Sequence, residues 1–144
     1  TPGRKSHIDG PCSRFHIRRL KSGRLLMINH YQFDQRIDLD DIMRQGNVKS
    51  WKGRSHLTAL LSEDDGKTWP YTLLLDERNE VSYPDAKEAA DGYIYVTYDW
   101  ERVTQREILM ARFTEEDILK GQLSSPNGKL RILVNKATGQ PDIH

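Results

Sequence analysis

The sequence predicts an all-β protein made of two units, each of four short antiparallel strands. Three observations predict it. Apolar runs of strand length recur along the chain and are separated by turn-forming residues. The order of runs and turns is repeated once. Between the third and fourth runs of the first unit lies Ser62-Glu63-Asp64-Asp65-Gly66-Lys67-Thr68-Trp69, which fills every defined position of the pattern S-x-D-x-G-x-T-W.

Taken in order, Thr1–Pro11 carries Pro, Gly and charge without periodicity and reads as a loop. Arg14–Leu20 sets Phe15, Ile17 and Leu20 against His16, Arg18 and Arg19, a strand pattern. Lys21-Ser22-Gly23 is a turn, and Arg24–His30 holds Leu25, Leu26, Met27 and Ile28, a run short enough for a buried strand. Tyr31–Ser55 is a long connection, with one helical turn expected near Leu39–Arg44. His56–Leu61 and Tyr71–Leu75 are rich in strand formers and flank the eight-residue turn. Within that turn Ser62 and Asp64 can bond nearby backbone N–H groups, and Gly66 supplies a φ that other residues resist. Trp69 is expected to return the chain to the core.

The second unit opens with Tyr83–Ala89 and a turn at Asp91-Gly92. Tyr93–Asp99 sets Ile94, Val96 and Tyr98 against Tyr95, Thr97 and Asp99. Glu107–Phe113 is the third strand. Thr114-Glu115-Glu116-Asp117 is a capping-box pattern that opens a short helix ending near Gly121. Leu130–Val134 is the fourth strand, followed by a polar tail, Asn135–His144. The units span about 12–76 and about 81–135. Lys21-Ser22-Gly23 corresponds to Ala90-Asp91-Gly92, and Ser62–Asp65 to Thr114–Asp117, a decayed copy. Repetition of this kind is what propeller blades look like in sequence, with an antiparallel sandwich as the alternative.

The chain of 144 residues is one domain's worth, long enough to bury a core. A net charge of +1 argues against a nucleic-acid surface driven by bulk charge. Cys12 is the single cysteine, so no intramolecular disulfide forms. No apolar run approaches the length needed to span a bilayer. The start at Thr1 suggests a processed protein or a piece of a longer one.

The eight-residue turn resembles the Asp-box of sialidase-like BNR-repeat β-propellers, with Ser62, Asp64, Gly66, Thr68 and Trp69 at its defined positions. In that family the box is structural and lies away from the active site. The resemblance implies two blades of a six-bladed propeller and extends over roughly Pro11–Gly121. Two blades do not close a ring, so upstream blades or further copies of the chain are expected to cover the open edges.

Ser50-Trp51-Lys52-Gly53-Arg54-Ser55-His56-Leu57 resembles the stretch that supplies the last arginine of the family's carboxylate-binding triad, and Arg54 falls on it. Val81-Ser82-Tyr83-Pro84-Asp85 resembles the tyrosine motif, with Tyr83 at the nucleophile. Val96-Thr97-Tyr98-Asp99 resembles the segment whose carboxylate steadies another arginine, here Asp99, one methylene short of the usual glutamate. Glu107–Asp117 resembles the strand and helix that close the last catalytic blade.

The chemistry explains these types. Arginines clamp a sialic acid carboxylate bidentately. A carboxylate nucleophile would be repelled by that anion, and tyrosine avoids the repulsion. The phenol then needs a carboxylate base, and the leaving oxygen needs an acid. No segment matches the family's first arginine, its acid aspartate or its base glutamate, and Tyr-Pro-Asp replaces Tyr-Ser-Asp. Arg14 and His56 match no family residue and suggest a different sugar preference.

The resemblance thus implies the C-terminal part of a sialidase-like glycoside hydrolase acting on an anionic or related sugar. The alternative is a non-catalytic carbohydrate-binding or scaffolding module. A glycan ligand is expected, and no cofactor, metal, nucleic acid or membrane. A secreted or periplasmic setting follows from the resemblance alone. Each residue also has a plainer use. Arg54 fits a loop cation paired with an acid, Tyr83 a core tyrosine, and Asp99 a strand-end turn residue. His16, His30 and His56 match no metal-ligand spacing. Trp51 and Trp100 fit either sugar stacking or cover of the core edge. The run Asp38-Leu39-Asp40-Asp41 is a solvated face without calcium-loop spacing.

Overall fold

The computed structural model describes residues 3, 6–11, 13–32 and 53–139. Eight strands and one short helix follow in order: β1 His16–Arg19, β2 Leu25–His30, β3 Leu57–Ser62, β4 Tyr71–Asp76, β5 Val81–Glu88, β6 Tyr93–Trp100, β7 Glu107–Thr114, α1 Glu115–Lys120 and β8 Lys129–Lys136. Cys12, the acidic run Asp38–Asp41, the expected turn near Leu39–Arg44, and Trp51 lie outside the described residues. Among the described residues no helix is long and apolar enough to cross a membrane.

The strands form two four-stranded antiparallel sheets, β1-β2-β3-β4 and β5-β6-β7-β8, each in chain order. This is the all-β arrangement of two repeated units. β2 and β3 are central strands, and every residue of β3 is buried. A strand covered on both faces needs a continuous apolar run, which Leu57–Leu61 nearly supplies. β6 instead alternates: Ile94, Val96 and Tyr98 are buried and the residues between them less so.

One core joins the sheets. Leu26, Ile28, Leu57, Ala59, Leu61, Leu73 and Leu75 of the first sheet meet Val96, Tyr98, Leu109, Ala111 and Phe113 of the second, with Ile118 of α1 among them. Burying a side chain such as Phe113 contributes about 1.5–3 kcal/mol. The helix packs on β3 and β4, so the second unit closes over the first. It starts at the expected capping box: the Thr114 side chain accepts from Asp117 N–H, and the Asp117 side chain accepts from Thr114 N–H. Gly121 ends it in the left-handed conformation.

The box turn follows β3 as expected. Gly66 N–H donates to Ser62 Oγ at 2.8 Å, and Asp64 accepts from Thr68 N–H at 2.8 Å and from Thr68 Oγ1 at 2.6 Å. These bonds hold the Asp64 carboxyl down at about 2, led by the Thr68 hydroxyl.

Two expectations are corrected. Trp69 does not enter the core between the sheets; it is partly exposed and lines a cavity with Met27 and Leu60 on the opposite face of the first sheet. In β1 it is the polar side that faces the second sheet. His16 Nδ1 lies 3.0 Å from Asp85 Oδ1, and Arg18 Nη1 donates to the Ala86 carbonyl at 2.8 Å. Phe15 and Ile17 are exposed. The contacts with β5 turn the polar side of β1 inward, with the long Arg18 stem packed and its Nη1 bonded.

Candidate functional site

The site is built where the loop before β3 meets the start of β5. Val81 N–H donates to the Arg54 carbonyl at 3.1 Å, and Tyr31 N–H to the His56 carbonyl at 3.1 Å. The next carbonyl, of Ser55, accepts from His30 Nδ1 at 2.9 Å. A carbonyl only accepts, so Nδ1 carries the proton and Nε2 accepts from Ser13 Oγ at 3.2 Å. His30 is buried, and burial pushes its pKa down, keeping the ring neutral. These contacts tie the segment just before β3 to the end of β2 and to the start of β5, and place Arg54 beside the second sheet.

Tyr83 is the receiving residue. The pairing of β5 with β6 runs Ser82↔Asp99 and then Asp85↔Thr97, so one extra residue is accommodated at Tyr83-Pro84. Pro84 lacks an N–H and fits such an interruption. It also disfavours the right-handed helical region for Tyr83. Tyr83 takes φ +54°, a left-handed conformation that costs a non-glycine residue about 1–3 kcal/mol. The bulge leaves its side chain 43% exposed. This corrects the core-tyrosine alternative.

Two guanidiniums lie over the ring. Arg54 Cζ is 5.5 Å from its centroid and Arg102 Cζ is 4.2 Å. Arg54 is buried and Arg102 half-exposed. Arg102 donates to Asp99 Oδ2 from Nε at 3.0 Å and from Nη2 at 2.7 Å. Ser82 Oγ donates to the other oxygen, Asp99 Oδ1. Asp99 therefore steadies an arginine, three residues on along its own chain, and is not a bare turn residue.

The structure brings Arg54, Tyr83 and Asp99 into one cluster. Arg14 and His56 do not join them through any contact among the described residues. His56 Nδ1 lies 2.9 Å from Ser55 Oγ, and His56 takes φ +52°. Arg14 is exposed and acts on His16, whose pKa is lowered first by burial, with Arg18 and Arg14 adding and Asp85 opposing. Arg102 and Ser82 escaped sequence reasoning. The available signal was a cation three residues after Asp99, in the turn that closes the strand.

Trp100 is not a sugar platform: Arg78 Cζ sits 3.8 Å from its ring centroid, and the indole N–H donates to the Asn79 carbonyl at 3.2 Å. It packs against the core edge instead. Among the described residues no group of three His, Cys, Asp or Glu side chains is placed to hold a metal ion. A cavity of about 460 Å³, lined by His7, Met27, Asn29, Leu60 and Trp69 among others, does not touch Arg54, Tyr83 or Asp99. The Tyr83 cluster is the stronger candidate, because it combines backbone strain, convergent cations and an accessible phenol.

A family model described as a BNR repeat-like domain matches residues 4–96. The match includes Arg54, the box turn and Tyr83, and it ends before Asp99 and Arg102. No curated protein and no solved structure gives a match.

Proposed function

The chain belongs to the family of BNR repeat-like domains, and from that membership we propose that it recognises an acidic sugar at Tyr83 within a sialidase-like glycoside hydrolase. The observation that carries this reading is the pair of guanidiniums, Arg54 and Arg102, over an exposed tyrosine on a strained bulge. Guanidinium groups match a carboxylate in shape and charge. In this reading Arg54 holds the sugar acid and Tyr83 stands at the reactive centre.

A second reading, a non-catalytic carbohydrate-binding module, is favoured by one specific observation. Two carboxylates of β5 and β6 beside the bulge are already engaged: Asp99 by Arg102 and Ser82, and Asp85 by His16. A phenol nucleophile needs a base, and neither carboxylate is placed as one among the described residues. Tyr83→Phe separates the two. In a hydrolase it abolishes release of a chromogenic aglycone from a sialoside; in a binding module it leaves glycan binding nearly intact. Equal turnover by mutant and wild type would sink the nucleophile assignment.

Self-association belongs to the same proposal. Ile17 on β1, Leu74 on β4 and Leu133 on β8 are exposed on edge strands, and a second copy pairing along such an edge would cover it. Light scattering should give a mass above the 16.7 kDa of one chain. A strict monomer contradicts this.

A further inference from the structure

We propose that the cavity on the outer face of the first sheet is a second ligand site, which takes a neutral ring sugar bearing an N-acetyl group and reads its amide through Asn29. Three observations lead there. First, the cavity holds about 460 Å³, within the range of about 300–1,000 Å³ usual for small-molecule sites. Met27 and Leu60, cross-strand partners on β2 and β3, give it an apolar floor, and Trp69 adds an aromatic wall. Second, Asn29 lies two residues beyond Met27 on β2, on the same face, and lines the cavity while only 8% exposed. Among the described residues no group bonds its carboxamide. Its cross-strand neighbour Thr58 gives its hydroxyl proton to the His56 carbonyl at 2.8 Å. A sheltered carboxamide without partners is unfavourable, and a ligand that supplies them relieves it. Third, Gly10 lies beside this group: a Cβ there would stand 3.4 Å from Asn29 Nδ2 and 3.5 Å from Oδ1. With no side chain at position 10, that flank of the carboxamide stays uncovered.

A secondary amide matches Asn29 in both directions, its N–H donating to Oδ1 and its carbonyl accepting from Nδ2. The acetyl methyl then rests on Met27 and Leu60. The C–H face of a pyranose suits the Trp69 ring, and its hydroxyls meet Thr68 and Lys67 at the exposed rim. Asp9 and Lys67 carry opposite charges at that rim, so it favours a neutral ligand. The site shares no residue with the Tyr83 cluster and does not rest on the acidic-sugar reading.

The test uses the full chain, labelled for NMR, and three probes: the methyl glycoside of N-acetylglucosamine, methyl glucoside, which lacks the amide, and N-acetylglycine methylamide, which lacks the ring. The first should shift the Asn29 side-chain and Trp69 indole signals saturably, and each of the others should bind roughly tenfold more weakly or worse, the loss expected of about two hydrogen bonds or of the ring contact. Asn29→Ala should remove the preference for the N-acetyl sugar over the glucoside. Gly10→Ala guards against a variant that fails to fold, since its Cβ makes only ordinary contacts and Gly10 is not in the left-handed region. It should keep the thermal midpoint of wild type and weaken the N-acetyl sugar about tenfold by covering the carboxamide. Equal affinity for the two glycosides overturns the role of Asn29. Equal affinity for the amide without the ring overturns the sugar. Shifts confined to residues outside the cavity, or none at all, overturn the site.

Discussion

The Tyr98 hydroxyl donates to Asp76 Oδ2 at 3.0 Å, and both side chains are buried. Tyr98 lies on β6 of the second sheet and Asp76 on β4 of the first, so this bond joins the two sheets inside their shared core. Asp76 is further held by Arg78, 2.6 Å away, and faces Arg131 at 3.5 Å. Burial would raise the Asp76 carboxyl, but Arg78 outweighs it and the carboxyl stays below its usual range. Burial and the Asp76 charge push the Tyr98 phenol up.

Tyr98→Phe keeps the ring and removes one donor from a buried carboxylate. We expect a loss of about 1–3 kcal/mol, the cost of under-satisfying such a group. Urea unfolding of the two proteins measures it; a change within error would mean that the sheets are held by apolar burial alone.

Gly66 sits at φ +83° in the box turn. An added Cβ would meet Trp69 Cζ2 at 3.5 Å and Leu25 Cδ1 at 3.7 Å, ordinary contacts. The cost of Gly66→Ala is therefore backbone strain, about 1–2 kcal/mol. Gly66→Asn should cost less, since Asn tolerates the left-handed region. Thermal denaturation of the pair should rank them so; the reverse order would place the cost in side-chain crowding.

Asp117 is fully buried behind the helix cap. Burial would raise its pKa, but the Ser125 hydroxyl and the N–H groups of Thr114, Ser124 and Ser125 overcome it and hold the carboxyl well below its usual range. A depressed folded pKa stabilises the protein at pH above the unfolded value, about 3.9. That contribution disappears as pH falls from there toward the folded pKa. Asp117→Asn should lower stability at pH 7 by about 2–3 kcal/mol, the range for charge-assisted bonds, and should flatten the acid limb. Unfolding free energies between pH 7 and pH 3 check both, and an acid limb as steep as wild type would place the acid sensitivity elsewhere.

Arg54, Tyr83 and Asp99 of the candidate cluster could be named in sequence because they sit in local motifs. Tyr83 and Arg54 are found from the residues around them. Arg102 was not, because its place over the Tyr83 ring depends on the bulge at Tyr83-Pro84. No local pattern encodes that approach. Trp69 failed for a related reason: a large apolar ring after a turn does not say which face of the first sheet the second sheet covers.

The sequence by itself determined the strands, their order, the box turn and the capped helix, all set by neighbours a few residues apart. Tertiary structure decided which face of each strand is core, that His16 and Arg18 serve β5, and that Arg54, just before β3, and Arg102, just after β6, converge on one tyrosine. Those outcomes depend on contacts between residues distant in the chain. Their free energies come from the pairing and burial that the packed sheets make available.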